Sequence, residues 1–292
     1  MNKVYSEGDI KMKNNMFVLG GDKRQLYLAK SLKDKGYNVE IFGFSNVKND
    51  FFVPQSLCDG MKKNDIIILP MPVTRNNIVL NTPLNEFTIT LEEICDNITE
   101  NHFILGGMIN KRFFYKTDNI YDYSESEELM VKNAMLTAEA TIEVIISNTP
   151  YSIFNSDILI LGYGRIGKLL SDDLKNLGAN VTVCMRKEYD FAMCSVKGLK
   201  TLSYEVLKDD IKKFRTVINT VPFKILDKKI IDCMREDVFL IDISSKDGGC
   251  DFEYLSKKGI KHIHALGLPG KTAPETAGNI ISDIIVKQIK KG

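Results

Sequence analysis

Short apolar runs recur along the chain, each closed by a glycine or proline and followed by a stretch of helical periodicity. Phe17-Val18-Leu19-Gly20 and Leu159-Ile160-Leu161-Gly162 open two such segments, which align without a gap at an offset of 142 residues (Gly20 against Gly162). Along that alignment Leu32 meets Leu174, Lys33 meets Lys175, Gly36 meets Gly178, Asn38 meets Asn180 and Val39 meets Val181. Each copy reads as a buried strand, a tight glycine turn, a helix, a glycine stop and a second strand, which is the βαβ signature. The parallel continues downstream. Ile66-Ile67-Ile68-Leu69 before Pro72 matches Thr216-Val217-Ile218-Asn219 before Pro222, and Phe103-Ile104-Leu105 matches Phe239-Leu240-Ile241. The pattern predicts two Rossmann-like α/β domains with doubly wound parallel sheets, over residues 16–123 and 151–271, behind a loose tail at residues 1–15.

Residues 124–150 read as one long helix joining the domains, a natural hinge with a cleft beside it. Ser124 and Glu127 have capping-box spacing, so each can satisfy an orphan amide at the helix start. Val131, Met135, Ala138, Ile142 and Ile145 recur on one face, and Asn148-Thr149-Pro150 stops the helix because proline cannot continue it. Residues 272–292 form a final helix, with Thr272 and Glu275 as a second capping box and Pro274 in the first turn, where its missing amide costs little. That helix is expected to start near the cleft.

Composition narrows the function classes. At 292 residues, 44% hydrophobic and 26% charged, the chain has the profile of a globular protein long enough for two domains. A net charge of +1, with both signs interspersed, argues against broad nucleic-acid or membrane-surface binding, which needs a one-signed field. No apolar run approaches the length of a membrane span, and no apolar signal core follows Met1-Asn2-Lys3, so a cytoplasmic chain is expected. The six cysteines (Cys58, Cys95, Cys184, Cys194, Cys233, Cys250) show no paired spacing and no histidine cluster accompanies them. Reduced thiols are therefore expected, with no metal site.

The two copies differ where chemistry is decided. The second turn is Gly162-Tyr163-Gly164-Arg165-Ile166-Gly167, an intact dinucleotide fingerprint between a strand and a helix. Its glycines permit a tight turn, a close approach of pyrophosphate to bare backbone, and close packing of helix on strand, in that order. The helix N-terminus adds amide donors and the positive end of a dipole. The first turn reads Gly20-Gly21-Asp22-Lys23-Arg24-Gln25, with a carboxylate at the second fingerprint position and a glutamine at the third. A dinucleotide is not expected there. Asp22, Arg24 and Gln25 are instead expected to face a substrate.

An NAD-preferring domain usually carries an acid at the end of the next strand, some 20 residues after the glycines. Here Val181-Thr182-Val183-Cys184-Met185 is followed by Arg186 and Lys187. Two cations suit a ribose 2′-phosphate, so NADP is expected over NAD. Two further strand ends, Asn219-Thr220-Val221-Pro222 and Asp242-Ile243-Ser244, together with Leu268, are expected on the nicotinamide side, because ligands gather outside the carboxyl ends of parallel strands.

These landmarks resemble the dipicolinate synthase A subunits of spore-forming bacteria. The resemblance rests on Gly20 to Gln25, Leu161 to Arg165, Asn219 to Pro222, Gly248-Gly249-Cys250-Asp251-Phe252, and Gly267-Leu268-Pro269-Gly270 with Ala273 to Gly278, and it runs over nearly the whole chain after Asn15. It implies a dehydrogenase-like protein that works on the dihydrodipicolinate branch of the lysine pathway during sporulation, and whose partner is a flavoprotein-like B subunit. Two positions depart from the family pattern: Lys246 stands where an arginine is expected, and Lys271 where an apolar residue is. Both keep or add positive charge, which suits a dicarboxylate.

The reaction so implied is oxidation of a partly reduced ring dicarboxylate by NADP. Aromatisation drives such a step, so little acid–base help is needed, and no catalytic residue is assigned. His102, His262 and His264 are the only histidines. Arg24, Lys246, Lys271, Thr272 and Thr276 are the candidates for holding the substrate carboxylates. The competing readings are a 2-hydroxy-acid or amino-acid dehydrogenase of related two-domain fold, and a non-catalytic protein that binds NADP. A homo-oligomer is compatible with all three.

Overall fold

In parallel α/β sheets both faces are covered by helices, so the strands are continuous apolar runs rather than alternating ones. The inner strands of this chain follow that rule, while the edge strands carry more polar residues. The computed structural model describes residues 14–245 and 248–291 and divides the chain into two units, Met1–Met130 with Ala273–Gly292, and Val131–Thr272.

The first unit holds a five-stranded sheet of β1 (Asn15–Leu19), β2 (Asn38–Phe42), β3 (Ile66–Ile68), β4 (Phe103–Gly106) and β5 (Ile120–Asp122). Its order is β2-β1-β3-β4-β5, with every pair parallel. One face is sealed by a cluster around Phe17, Leu19, Ile67 and Ile104. The helix Lys23–Asp34 buries Leu28, Ala29 and Leu32, and packs on the terminal helix Pro274–Ile289. That contact is close: a Cβ on Gly278 would lie 2.4 Å from the Arg24 carbonyl oxygen.

The second unit holds six strands: β6 (Asp157–Leu161), β7 (Asn180–Met185), β8 (Lys200–Ser203), β9 (Thr216–Asn219), β10 (Phe239–Asp242) and β11 (Lys261–His264). The order β11-β10-β9-β6-β7-β8 is that of the dinucleotide-binding fold, in which the chain reverses direction between the first strand and the fourth. Among the described residues the first unit has no outer strand equivalent to β8. Only a single parallel bridge, Glu40 to Phe52, stands outside β2 at that edge.

The internal repeat holds element by element. β1 and β6, the helices Lys23–Asp34 and Arg165–Asn176, and the starts of β2 and β7 are all displaced by the same 142 residues (Asn15 against Asp157). Three local expectations are corrected. The joining helix spans Glu127–Asn148, and Ser126 rather than Ser124 caps it, its Oγ accepting from the Leu129 amide. Ser124 instead donates to Asp122 from a preceding 3₁₀ turn. On that helix Val131 and Met135 are exposed, whereas Ala138 and Ile145 enter the second unit's core and Ile142 packs against it. Apolar spacing alone puts all five named positions on the buried face. The terminal helix begins at Pro274 without a side-chain cap, because Thr272 belongs to the preceding short helix Leu268–Thr272. The division between units falls inside the joining helix, after Met130, and the terminal helix belongs to the first unit.

Candidate dinucleotide site

The turn after β6 is built from its glycines. Gly162 has φ +96°, and a Cβ there would lie 2.5 Å from Thr220 Oγ1, whose hydroxyl donates to the Leu161 carbonyl. A Cβ on Gly167 would lie 2.3 Å from the Gly162 carbonyl oxygen, so the third glycine is what lets the helix seat on the turn. At Gly164 a Cβ would meet nothing within 4 Å. Gly164 is the N-cap of the helix Arg165–Asn176 and has no side chain to satisfy the orphan amides. Space without a neighbour, above an uncapped helix start at the positive end of its dipole, is what a pyrophosphate requires.

This turn opens onto a cavity of about 620 Å³. Gly162, Tyr163 and Gly164 line it, together with Arg186 and Lys187 after β7 and Thr220, Val221 and Pro222 after β9. Arg186 and Lys187 are exposed, and neither forms an ion pair among the described residues. Asp190 also borders the cavity, with its carboxylate 3.8 Å from Lys168 Nζ. Eight of the residues expected at the cofactor are thus brought together around one cavity. A nicotinamide dinucleotide fits this set: bare backbone for its phosphates, and paired cations beside its ribose.

Other residues expected there are placed differently. Arg165 is exposed and Ile166 half-buried on the first turn of the helix, while Gly167 is buried in the turn's packing. Leu268 is part of the apolar core. Asn219, Asp242 and Ser244 are buried and bonded to one another, so direct ligand contact by their side chains is replaced by internal support. Sequence reasoning missed Met185, Asp190, Tyr204, Leu207, Phe223, Ile225 and Ile230, which complete the lining. Tyr204 immediately follows β8, so the strand-end rule finds it once that short, half-polar strand is recognised. Burial pushes its hydroxyl up to about 12, against the opposing pull of Arg186.

The first unit's turn is chemically closed. Asp22 caps the helix Lys23–Asp34 by accepting from the Arg24 amide, and it holds the Arg24 guanidinium at 2.8 Å. Arg24 Nη2 also donates to the Met71 carbonyl. Gln25 is 2% exposed and donates to the Leu69 carbonyl. The Gly21 amide donates to the Asn81 carbonyl at 2.8 Å, and Thr82 and Leu80 crowd Gly20. The segment after β3 therefore occupies the position a phosphate would need. In the second unit, the equivalent Tyr163 amide has no such carbonyl over it among the described residues. Gln25 does not project outward as expected, and Arg24 is committed to its neighbours. Of the other substrate candidates, Lys271, Thr272 and Thr276 are exposed, and Lys246 lies outside the described residues.

The described residues contain no group of three or more His, Cys, Asp or Glu side chains able to hold a metal ion, and no helix long and apolar enough to cross a membrane.

Two parallel α/β units, one with an intact glycine turn at its topological switch point, define a protein of dehydrogenase-like fold. Residues 15–120 match the family described as the N-terminal domain of the dipicolinate synthase A subunit. The dipicolinate synthase A subunit of Bacillus subtilis (strain 168) is 30% identical over 279 residues, which is 92% of this chain and 94% of that relative. The chain belongs to the dipicolinate synthase A-subunit family. The crystal structure of the Bacillus halodurans protein of that family superposes with a TM-score of 0.85 at 27% identity, covering 95% of this chain and 98% of the other. A transhydrogenase from Sinorhizobium meliloti shares the fold, with a TM-score of 0.68 at 13% identity over 94% of this chain and 93% of its own.

Proposed function

We propose that the protein binds NADP in preference to NAD at the Gly162–Gly167 turn. There it oxidises a dihydrodipicolinate-type intermediate of the lysine pathway to dipicolinate (pyridine-2,6-dicarboxylate) during sporulation. The observation that carries this reading is the bare Gly164 backbone opening onto a cavity bordered by Arg186 and Lys187. A bound nicotinamide would supply the hydride acceptor for a substrate that loses a hydride and a proton as its ring becomes aromatic. The chain's own residues bind and orient. The amides of the turn receive the pyrophosphate, Arg186 and Lys187 the 2′-phosphate, and Thr220, Val221 and Pro222 form the opposing wall. The exposed Lys271, Thr272 and Thr276 are assigned to the substrate carboxylates, together with Lys246. Asp22, Arg24 and Gln25 hold the first unit's turn in shape.

Membership in a family of synthase A subunits supports assembly with a B subunit, which the family resemblance makes flavoprotein-like. The setting so implied is the mother-cell cytoplasm. The test is a side-by-side titration with NADP and NAD. Arg186→Ala is expected to weaken NADP about tenfold or more while leaving NAD unchanged, since a charge-assisted phosphate contact is lost. A variant that keeps the preference removes the cofactor assignment. Turnover of simple 2-hydroxy acids, with none of the lysine-pathway intermediate, would replace the substrate assignment. Tight NADP binding without NADPH formation, even with the B subunit, would make the chain a non-catalytic component.

A further inference from the structure

Asp242 closes β10 and is fully buried, yet no cation pairs with it among the described residues. Five donors converge on its carboxylate. The Ser244 amide at 2.8 Å and the Ser244 hydroxyl at 2.5 Å reach Oδ1, while the Gly249 amide at 2.7 Å, the Cys250 thiol at 3.0 Å and Asn219 Nδ2 at 3.1 Å reach Oδ2. Burial and the neighbouring carboxylate push the Cys250 thiol well above its usual range, so it stays a donor.

Two of these partners lead to the cavity. Asn219 passes its second amide hydrogen to the Val221 carbonyl and accepts from the Val221 amide, fixing the bend after β9. Gly249 lies against the same bend. Its carbonyl accepts from the Ile225 and Leu226 amides, and a Cβ on it would lie 2.2 Å from Asn219 Nδ2 and 2.5 Å from the Val221 carbonyl oxygen. Leu226 and Cys250 form a parallel bridge beyond it. The carboxylate thus ties two loops together, and the one it holds from beneath carries Thr220, Val221, Pro222, Phe223 and Ile225, a whole wall of the cavity.

We propose that Asp242 is a positioning residue for nucleotide binding: through Asn219 and Gly249 it sets the Thr220–Ile225 wall opposite the Gly162–Gly164 turn, without touching the ligand. The inference rests on the cavity being the dinucleotide site. The first unit provides a matched control. Asp122 ends β5 in the same Asp-x-Ser arrangement, accepting from the Met108, Ile109 and Ser124 amides and the Ser124 hydroxyl, but holds no part of the cavity.

The experiment measures NADP affinity by calorimetry, and exchange of the amides of residues 220–226, in the full-length chain. Asp242→Asn is expected to weaken NADP about tenfold and to speed exchange in that segment, because a misplaced wall loses contacts that depend on sub-ångström placement. Asn219→Ser, which leaves the carboxylate its other four donors, is expected to show a similar loss and decides the matter should Asp242→Asn not fold. Asp122→Asn is expected to lower Tm with NADP affinity unchanged. Wild-type affinity in both Asp242→Asn and Asn219→Ser overturns the positioning role alone. A wild-type chain that binds neither NADP nor NAD overturns the reading of the cavity together with it.

Discussion

The two glycine turns occupy the same place in sister folds and have opposite chemistry. After β6 the helix starts without a side-chain cap, at a glycine whose missing side chain opens onto a cavity. After β1 the same positions hold Asp22, which caps its own helix, and Gln25, which turns inward to the Leu69 carbonyl, while the Gly21 amide is taken by Asn81. The lesson is that a degenerate fingerprint is not merely a weakened site. The first unit has committed the same donors to its own backbone, and the carboxylate at the helix start does the electrostatic work that a phosphate does elsewhere.

The sharpest way to break this contrast is to move one residue across it. Gly164→Asp gives the second turn the cap of the first, and is expected to reduce nucleotide affinity by about 100-fold or more, or ~2.7 kcal/mol, with the fold retained. Binding measured at the wild-type level in that variant would end the argument from bare backbone. The reverse exchange, Asp22→Gly, is expected to confer no nucleotide affinity, because the Asn81 carbonyl still covers Gly21.

Gln25→Gly restores the third fingerprint glycine in the first turn. It removes a buried side chain and leaves the Leu69 carbonyl without that donor, although Tyr123 Oη also donates to it. A loss of about 2 kcal/mol in denaturant unfolding is expected, without any gain in nucleotide affinity.

A smaller effect separates the two helices behind the turns. Asp173, whose carboxyl is raised by burial and by the adjacent Asp172, stands where the first helix has Ser31. A carboxyl raised in the folded state binds its proton more tightly there than in the unfolded chain, so its ionisation opposes folding at neutral pH. That cost is relieved as pH falls through the raised value. Asp173→Asn is therefore expected to raise Tm at pH 7 by about a degree or two. The gain should shrink toward zero in acid; a gain unchanged by pH would assign it to helix propensity instead.

Much of this was legible in the chain because the signals are local. The repeat of apolar strand, glycine turn and helix set β1, β2, β6 and β7 and the two helices between them, and Gly162-Tyr163-Gly164 to Gly167 marked the open turn within six residues. Arg186 and Lys187 were placed by their distance from those glycines, and the structure puts both on the cavity wall. What stayed hidden depends on partners far along the chain. Asn81 covers Gly21, Leu69 receives Gln25, and Gly249 reaches back to Val221, each across tens of residues. Ser124 and Thr272 have the spacing of caps but lie in other turns, and Val131 has the spacing of a core residue but faces outward, because spacing fixes a face and not what covers it. By itself the sequence determined two doubly wound units and which of them keeps the phosphate turn, since backbone geometry and the lack of side chains are properties of neighbouring residues. Only the tertiary structure decided which polar groups are already satisfied, and so which are left to bind, because hydrogen-bond satisfaction is settled by whatever packs against them.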